Sequence, residues 1–292
     1  MISFFRNLFA KQPSSKKSSD KQDLLTREKD HDLTLDLSIF KVSLELVVRR
    51  ECLEMEDERP STHDSKDKPK KLRRKTTIIE KHDQAITTYN DRNEFTRIPL
   101  IAYHCFERLE KFVDKEGIFR VPGSSVEIDK IVKDVDSGIV VNLKTYSCNT
   151  VASLLKKYIR ELPDPLLTYE GYNDWTKLSS MENTEQAREF MKKLFIALPP
   201  CNRSLFISLL SLLRKISEPP NIETSRMTES NLAFIWGMNI LKPPGSDLMR
   251  SDISKVSHAI IFCIKEYHRL REVYQQLVNE HVFDSTSINT SH

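Results

Sequence analysis

From about residue 94 onward the apolar residues recur at steps of three and four, the period of a helix that buries one face. Ile98, Ile101, Ala102, Cys105, Phe106, Leu109 and Phe112 form the first stripe, with Pro99 in a first turn that has no use for its missing N–H. Ser124 and Glu127 announce a second helix as a capping box; Ile128, Ile131, Val132 and Val135 give it a face, and it stops before Gly138. A third runs from about Thr150 through Val151, Leu154, Leu155, Tyr158, Ile159 and Leu162 until Pro163 and Pro165 end it. Further helices are expected at roughly 184–198, 202–217, 228–241 and 252–280. A chain patterned in this way folds as an all-α bundle. Six glycines against 13 prolines agree, because the phosphate loops and tight hairpins of other fold classes need more glycine.

The 292 residues suffice for one large domain or two ordinary ones. A count of 45 Lys+Arg nearly balances 42 Asp+Glu, so the net charge of +3 is too small for a dedicated nucleic-acid binder, and no nucleic-acid partner is expected. Cys52, Cys105, Cys148, Cys201 and Cys263 lie far apart, with no CxxC pair and no Cys/His cluster, so neither zinc nor a disulfide framework is expected. No apolar run reaches the roughly 18 residues of a membrane span, and the N-terminus lacks the apolar core of a secretory signal. The expectation is a cytoplasmic protein with reduced thiols.

Residues 1–77 have a different texture and are expected to be largely disordered, because polar and charged blocks offer too little apolar surface to offset the entropy of ordering. Two islands interrupt them. Phe4, Phe5, Leu8 and Phe9 recur at helical spacing, which reads either as a sticky terminus or as a short helix for a membrane or a partner groove. Residues 33–48 alternate and then shift phase, which predicts a strand with a bulge; a helical reading runs through Leu33, Leu37, Phe40, Leu44 and Val47. The basic run Lys66, Lys68, Lys70, Lys71, Arg73, Arg74 and Lys75 reads as a solvated linker, a contact for anionic membrane or a nuclear-import signal. Thr76 and Thr77 beside it resemble a basophilic kinase site. The folded domain is placed at 78–283, with a frayed tail at 284–292.

Three constellations carry chemistry. In EGIFRVPGS, residues 116–124, Arg120 stands alone between Gly117 and Gly123, with Ile118, Phe119 and Val121 able to anchor the turn. A pinned guanidinium suits a phosphate, since its fixed fork of donors loses little freedom on binding; an ordinary surface arginine paired with a carboxylate fits the spacing too. Lys156 and Arg160, four apart, share one face of the third helix away from its apolar stripe, and repel unless an anion, or Glu161, compensates. A plain solvated basic face explains them equally. Asn231 opens an apolar segment containing Phe234, Ile235 and Trp236, as a cap or a buried hydrogen-bonding residue.

Taken in order, these segments resemble the GTPase-activating domain for Rho-family small GTPases, over roughly residues 95–245 and extending towards 280. The match rests on Ile98, Pro99 and Cys105, on EGIFRVPGS, on LLKKYIRELPDPLL at 154–167, on LPPCNRSLF with Asn202, and on MTESNLA. The resemblance implies the helical bundle of that family and, for Arg120, the role of an arginine finger inserted into a partner's nucleotide pocket. It implies that Lys156 and Arg160 support the finger loop and contact the GTPase, and that Asn231 reaches the partner's switch region. The partner implied is a Rho-family GTPase in its GTP-bound form. The hydrolytic site, nucleotide and Mg²⁺ would belong to it, so this chain is expected to be an activator rather than an enzyme, needing no cofactor. Two departures stand out: Gly237-Met238-Asn239 replaces the family's GPN, and Ser147 and Asn149 replace an acidic residue and a histidine, with Asn149 expected to cap the helix. Met238 gives a foothold to the alternative of a catalytically weak GTPase-binding or adaptor module.

Overall fold

The apolar stripes meet around the third of them. The computed structural model describes residues 38–57, 98–245 and 250–288, with the backbone alone for 52–57, 250–251 and 281–288. All belong to one unit, residues 37–292. The apolar stretch Met1–Ala10, the basic run 66–75, Thr76 and Thr77, and residues 33–37, 78–97 and 289–292 of the segments assigned above lie outside the described residues.

Among the described residues every regular element is helical. In chain order they are α1 (Leu44–Asp57), α2 (Leu100–Leu109), α3 (Ser125–Asp136), α4 (Cys148–Arg160), α5 (Tyr172–Lys177), α6 (Thr184–Ala197), α7 (Pro200–Ser217), α8 (Asn221–Ser225), α9 (Glu229–Ile240), α10 (Arg250–Lys265) and α11 (Tyr267–Ile288). α4 is the hub: Val151, Ala152, Leu154, Leu155 and Ile159 are fully buried where α2, α3 and α9 pack against it. α7, opened by Pro200 at its first position, packs against α1, α2, α10 and α11 through Leu205, Phe206, Leu209, Leu210 and Leu213. Among the described elements α9 and α10 share the most extensive contact. A Cβ on Gly237 would stand 2.8 Å from Val256 Cγ1, so only glycine lets them approach this far.

Where it is described, the segment expected as a strand at 33–48 is a turn leading into a helix. Residues 38–43 form a turn, Ile39 and Phe40 donate their N–H groups to Asp136 Oδ1 at 2.7 and 3.1 Å, and α1 begins at Leu44. A lone strand leaves its backbone groups without partners, whereas a helix satisfies them internally. Leu44, Val47, Val48 and Glu51 then share one buried face, the helical face that includes Leu44 and Val47. This segment is thus ordered core inside a region expected to be largely disordered: Phe40 meets Tyr158 of α4 edge-on with centroids 5.3 Å apart. Both carboxylate oxygens of Glu51 accept from Leu100 N, at 3.2 and 3.0 Å. Pro99, the N-cap of α2, has no side-chain oxygen to offer, so α1 supplies the cap.

Three smaller differences follow from local chemistry. α4 is capped by Ser147, whose Oγ accepts from Thr150 N at 3.1 Å, and not by Asn149. The stripe at 252–280 is broken at Glu266, which holds Arg188 and Arg269, each at 3.0 Å, where α10 gives way to α11. Helical backbone continues to Ile288, into the tail expected to fray from 284.

Candidate functional site

The turn from Gly117 to Gly123 is tied down at both ends. Gly117, at φ 66°, donates its N–H to Ser225 O at 2.9 Å and accepts from Arg120 N and Val121 N at 2.8 and 2.9 Å. Its missing side chain is required twice over: the dihedral is left-handed, and a Cβ would stand 2.8 Å from Val121 Cγ2. At the other end a Cβ on Gly123 would lie 2.3 Å from Thr150 Cα, so the turn is pressed against the backbone of α4. Gly123 N donates to Ser153 Oγ at 3.0 Å and Ser124 N to Thr150 Oγ1 at 3.3 Å. Ser124 accepts from Glu127 N as a cap should, but Glu127 does not return the bond; its carboxylate accepts from the Thr150 hydroxyl at 2.8 Å. The capping box has become a clasp between α3 and α4.

Between these ends Ile118 and Phe119 are buried and Arg120 is exposed. Val121, expected as a third anchor, is 40% exposed and supports the turn only by lying against Gly117. Phe119 has φ 67°, a left-handed conformation that bulky residues rarely adopt, and it turns the chain so that the next side chain points out. Lys156 Nζ donates to the Phe119 carbonyl at 2.5 Å. Among the described residues the Arg120 guanidinium has neither a hydrogen-bond partner nor a carboxylate within 4.0 Å; it folds back over Gly117.

Lys156, Arg160 and Lys242 form a cationic ridge beside this turn. Glu161, the expected compensating charge, is paired with Lys157 at 2.7 Å. Lys242 Nζ reaches across 82 residues to the Arg160 carbonyl at 2.5 Å, capping the C-terminus of α4 where a cation is favoured. Burial, and then the neighbouring Arg160 charge, lower the Lys156 ammonium below the usual lysine range, and the same two causes act on Lys242. Among the described residues none of the three has a carboxylate partner within 4.0 Å.

Asn231 is neither cap nor buried. Thr228 caps α9, accepting from Asn231 N at 3.2 Å, and the exposed Asn231 side chain donates to Arg226 O at 3.3 Å. Arg226 follows Ser225, whose carbonyl holds Gly117, so Asn231 sits at the same end of the bundle as the arginine turn. Phe234, one turn further along α9, is 62% exposed. α9 continues unbroken through Met238, with Leu241 N bonded to Gly237 O at 3.0 Å. Asn202 ties α7 to the loop after α4, donating to Leu166 O at 2.9 Å. Sequence spacing singled out Arg120, Lys156, Arg160 and Asn231; it missed Lys242, Thr150 and Trp236, whose partners are distant in the chain.

A groove of about 380 Å³ between α2, α7 and α11 is lined by Phe106, Ile207 and Tyr267 and takes in none of Arg120, Lys156, Arg160 and Asn231. Among the described residues no cluster of three His, Cys, Asp or Glu could hold a metal, and no described helix is long and apolar enough to cross a membrane. What this surface presents is an exposed arginine and a basic ridge without carboxylate partners among the described residues.

The bundle thus carries an exposed arginine on a pinned turn beside a basic ridge. Residues 99–245 match the family model described as the RhoGAP domain. The chain belongs to the RhoGAP domain family. It is 30% identical over 185 residues to Rho GTPase-activating protein 68F of Drosophila melanogaster, covering 63% of this chain and 38% of that protein. It is 31% identical over 185 residues to human Rho GTPase-activating protein 19, covering 58% of this chain and 37% of the other. With Rho GTPase-activating protein gacJ of Dictyostelium discoideum, 29% identical, it spans 22% of the relative's length, so the chain corresponds to between about a fifth and two fifths of these proteins. The fold is that of human Rho GTPase activating protein 15, with a TM-score of 0.62 at 21% identity, covering 83% of this chain and 99% of that one.

Proposed function

We propose that this chain accelerates GTP hydrolysis by a Rho-family small GTPase, supplying Arg120 in trans to the GTP-bound partner. The observation that carries the reading is the Arg120 guanidinium, exposed and without a partner among the described residues, on a turn held by Lys156 and Ser225. During hydrolysis negative charge redistributes over the transferring phosphoryl group and the leaving oxygen. A desolvated guanidinium placed there stabilises the transition state more than the ground state. For an arginine supplied in trans to Ras the scale is about 10³–10⁵ in rate, or about 4–7 kcal/mol. Nucleotide, Mg²⁺ and attacking water belong to the partner. Lys156 and Arg160 support the turn and contact the GTPase, and Asn231 reaches its switch region.

Single-turnover hydrolysis by Rho, Rac and related GTPases, with wild-type chain and with Arg120→Ala, tests this directly. The substitution is expected to remove most of the acceleration while binding to the GTP-analogue complex persists, the signature of an interaction made in the transition state. Undiminished acceleration by the variant refutes the role of Arg120. A wild-type chain that binds and does not accelerate supports the adaptor reading instead. Contact of Lys66–Lys75 with anionic membrane belongs to the same proposal, and equal co-sedimentation with anionic vesicles after deletion of residues 1–37 and 58–97 removes it.

A further inference from the structure

Phe119 decides how Arg120 is presented. Its left-handed backbone, φ 67°, belongs to a side chain only 1% exposed. Bulky residues persist in that conformation only where their surroundings over-determine it. Lys156 fixes the carbonyl. The ring is fixed from a different element: Trp236 of α9 meets it edge to face, with centroids 5.0 Å apart and planes at 76°. Trp236 is fully buried, yet among the described residues its indole Nε1 has no hydrogen-bond partner. A buried tryptophan ordinarily finds one, so ring packing rather than polar pairing sets its orientation here.

We propose that Trp236 is a positioning residue for the reaction, acting through Phe119 to hold the arginine turn in its left-handed form before any partner arrives. The inference rests on the role proposed for Arg120. It also joins the turn to α9, the helix that bears Asn231 and the exposed Phe234, so that both partner-facing elements share one aromatic contact. An aliphatic side chain at 236 fills space but offers no ring edge or face. Phe119 is then free to relax towards ordinary dihedrals, and Arg120, the next residue, is displaced. A displacement of this kind lowers the rate and leaves the rest of the interface able to bind.

The test compares Trp236→Leu, Trp236→Phe and Arg120→Ala in single-turnover hydrolysis by whichever Rho-family GTPase the wild-type chain accelerates most. Binding to that GTPase loaded with a non-hydrolysable GTP analogue is measured alongside, with circular dichroism and thermal unfolding to confirm the fold. Trp236→Leu is expected to lower the limiting rate by about 10- to 100-fold with binding nearly unchanged, as misplacement of a reacting group does. Trp236→Phe keeps an aromatic edge and is expected to retain most of the rate. A readout independent of activity uses Trp175→Phe, which leaves Trp236 as the single tryptophan of the two in the chain. Its emission is expected to shift when Phe119 is also replaced by Leu, and this reading holds even where Trp236→Leu does not fold. Equal losses in rate and binding, or an emission blind to Phe119, overturn the inference. If Arg120→Ala abolishes acceleration while folded Trp236→Leu keeps the wild-type rate, this inference alone falls; if Arg120→Ala changes nothing, the reading beneath it falls too.

Discussion

Replacing Gly123 by alanine isolates the close approach of the arginine turn to α4. Gly123 does not have a positive φ, so its dihedrals do not require glycine. With room for a methyl group, alanine would stabilise the protein by about 0.4–1 kcal/mol through the unfolded chain. The structure leaves no room: the new Cβ would lie 2.3 Å from Thr150 Cα and 2.5 Å from Thr150 N, both backbone atoms in the first turn of a buried helix. Reaching an ordinary carbon–carbon contact of about 3.5 Å requires a retreat of about 1.2 Å. That shift breaks the bonds from Gly123 N to Ser153 Oγ and from Ser124 N to Thr150 Oγ1. Two lost hydrogen bonds at about 1 kcal/mol each, with about 1–3 kcal/mol of overpacking strain, outweigh the entropic gain and leave a net destabilisation of about 3 kcal/mol. For a chain of this size that lowers Tm by about 6–12 °C. Urea unfolding should show a lower midpoint at unchanged slope, and acceleration of GTP hydrolysis should fall with it because Arg120 rides on the same turn. A Gly123→Ala protein as stable as wild type, or more so, would refute the steric argument, since only the backbone clash makes the sign negative.

Glu51→Ala removes the acceptor that caps α2 from α1 and is expected to destabilise by about 1–3 kcal/mol, while Glu51→Gln, which keeps an oxygen, costs less; thermal unfolding of both variants checks this. Burial raises the thiols of Cys105 and Cys263 far above the ordinary thiol range. Their native forms stay protonated at a pH where the unfolded chain has lost those protons, so their contribution to stability is present below about pH 8.5 and is lost as pH rises above it. The paired Cys105→Ala, Cys263→Ala protein should therefore lose less stability than wild type between neutral pH and pH 10, measured as unfolding midpoints. A parallel decline in the two proteins contradicts the assignment.

Much of the fold was written at short range. The stripes beginning at Ile98, Ile128 and Val151, the cap at Ser124 and the stop at Pro163 all rest on residues three or four apart, because a helix brings such neighbours onto one face. Arg120, alone between two glycines, and Lys156 with Arg160 were legible for the same reason. Residues 38–48 were not: their letters satisfy two periods, and the choice went to the helix whose face could bury Leu44 and Val47 and whose Glu51 could reach Leu100. The chain thus specified by itself which segments coil, which faces are apolar and which cations stay outside. Only the tertiary structure decided that left-handed Phe119 meets Lys156 and Trp236, that Glu127 clasps Thr150, and that Glu161 pairs with Lys157. The contacts of Phe119 and Thr150 join residues far apart in the chain, and no local spacing encodes them; they exist only once burial has brought α4 and α9 together.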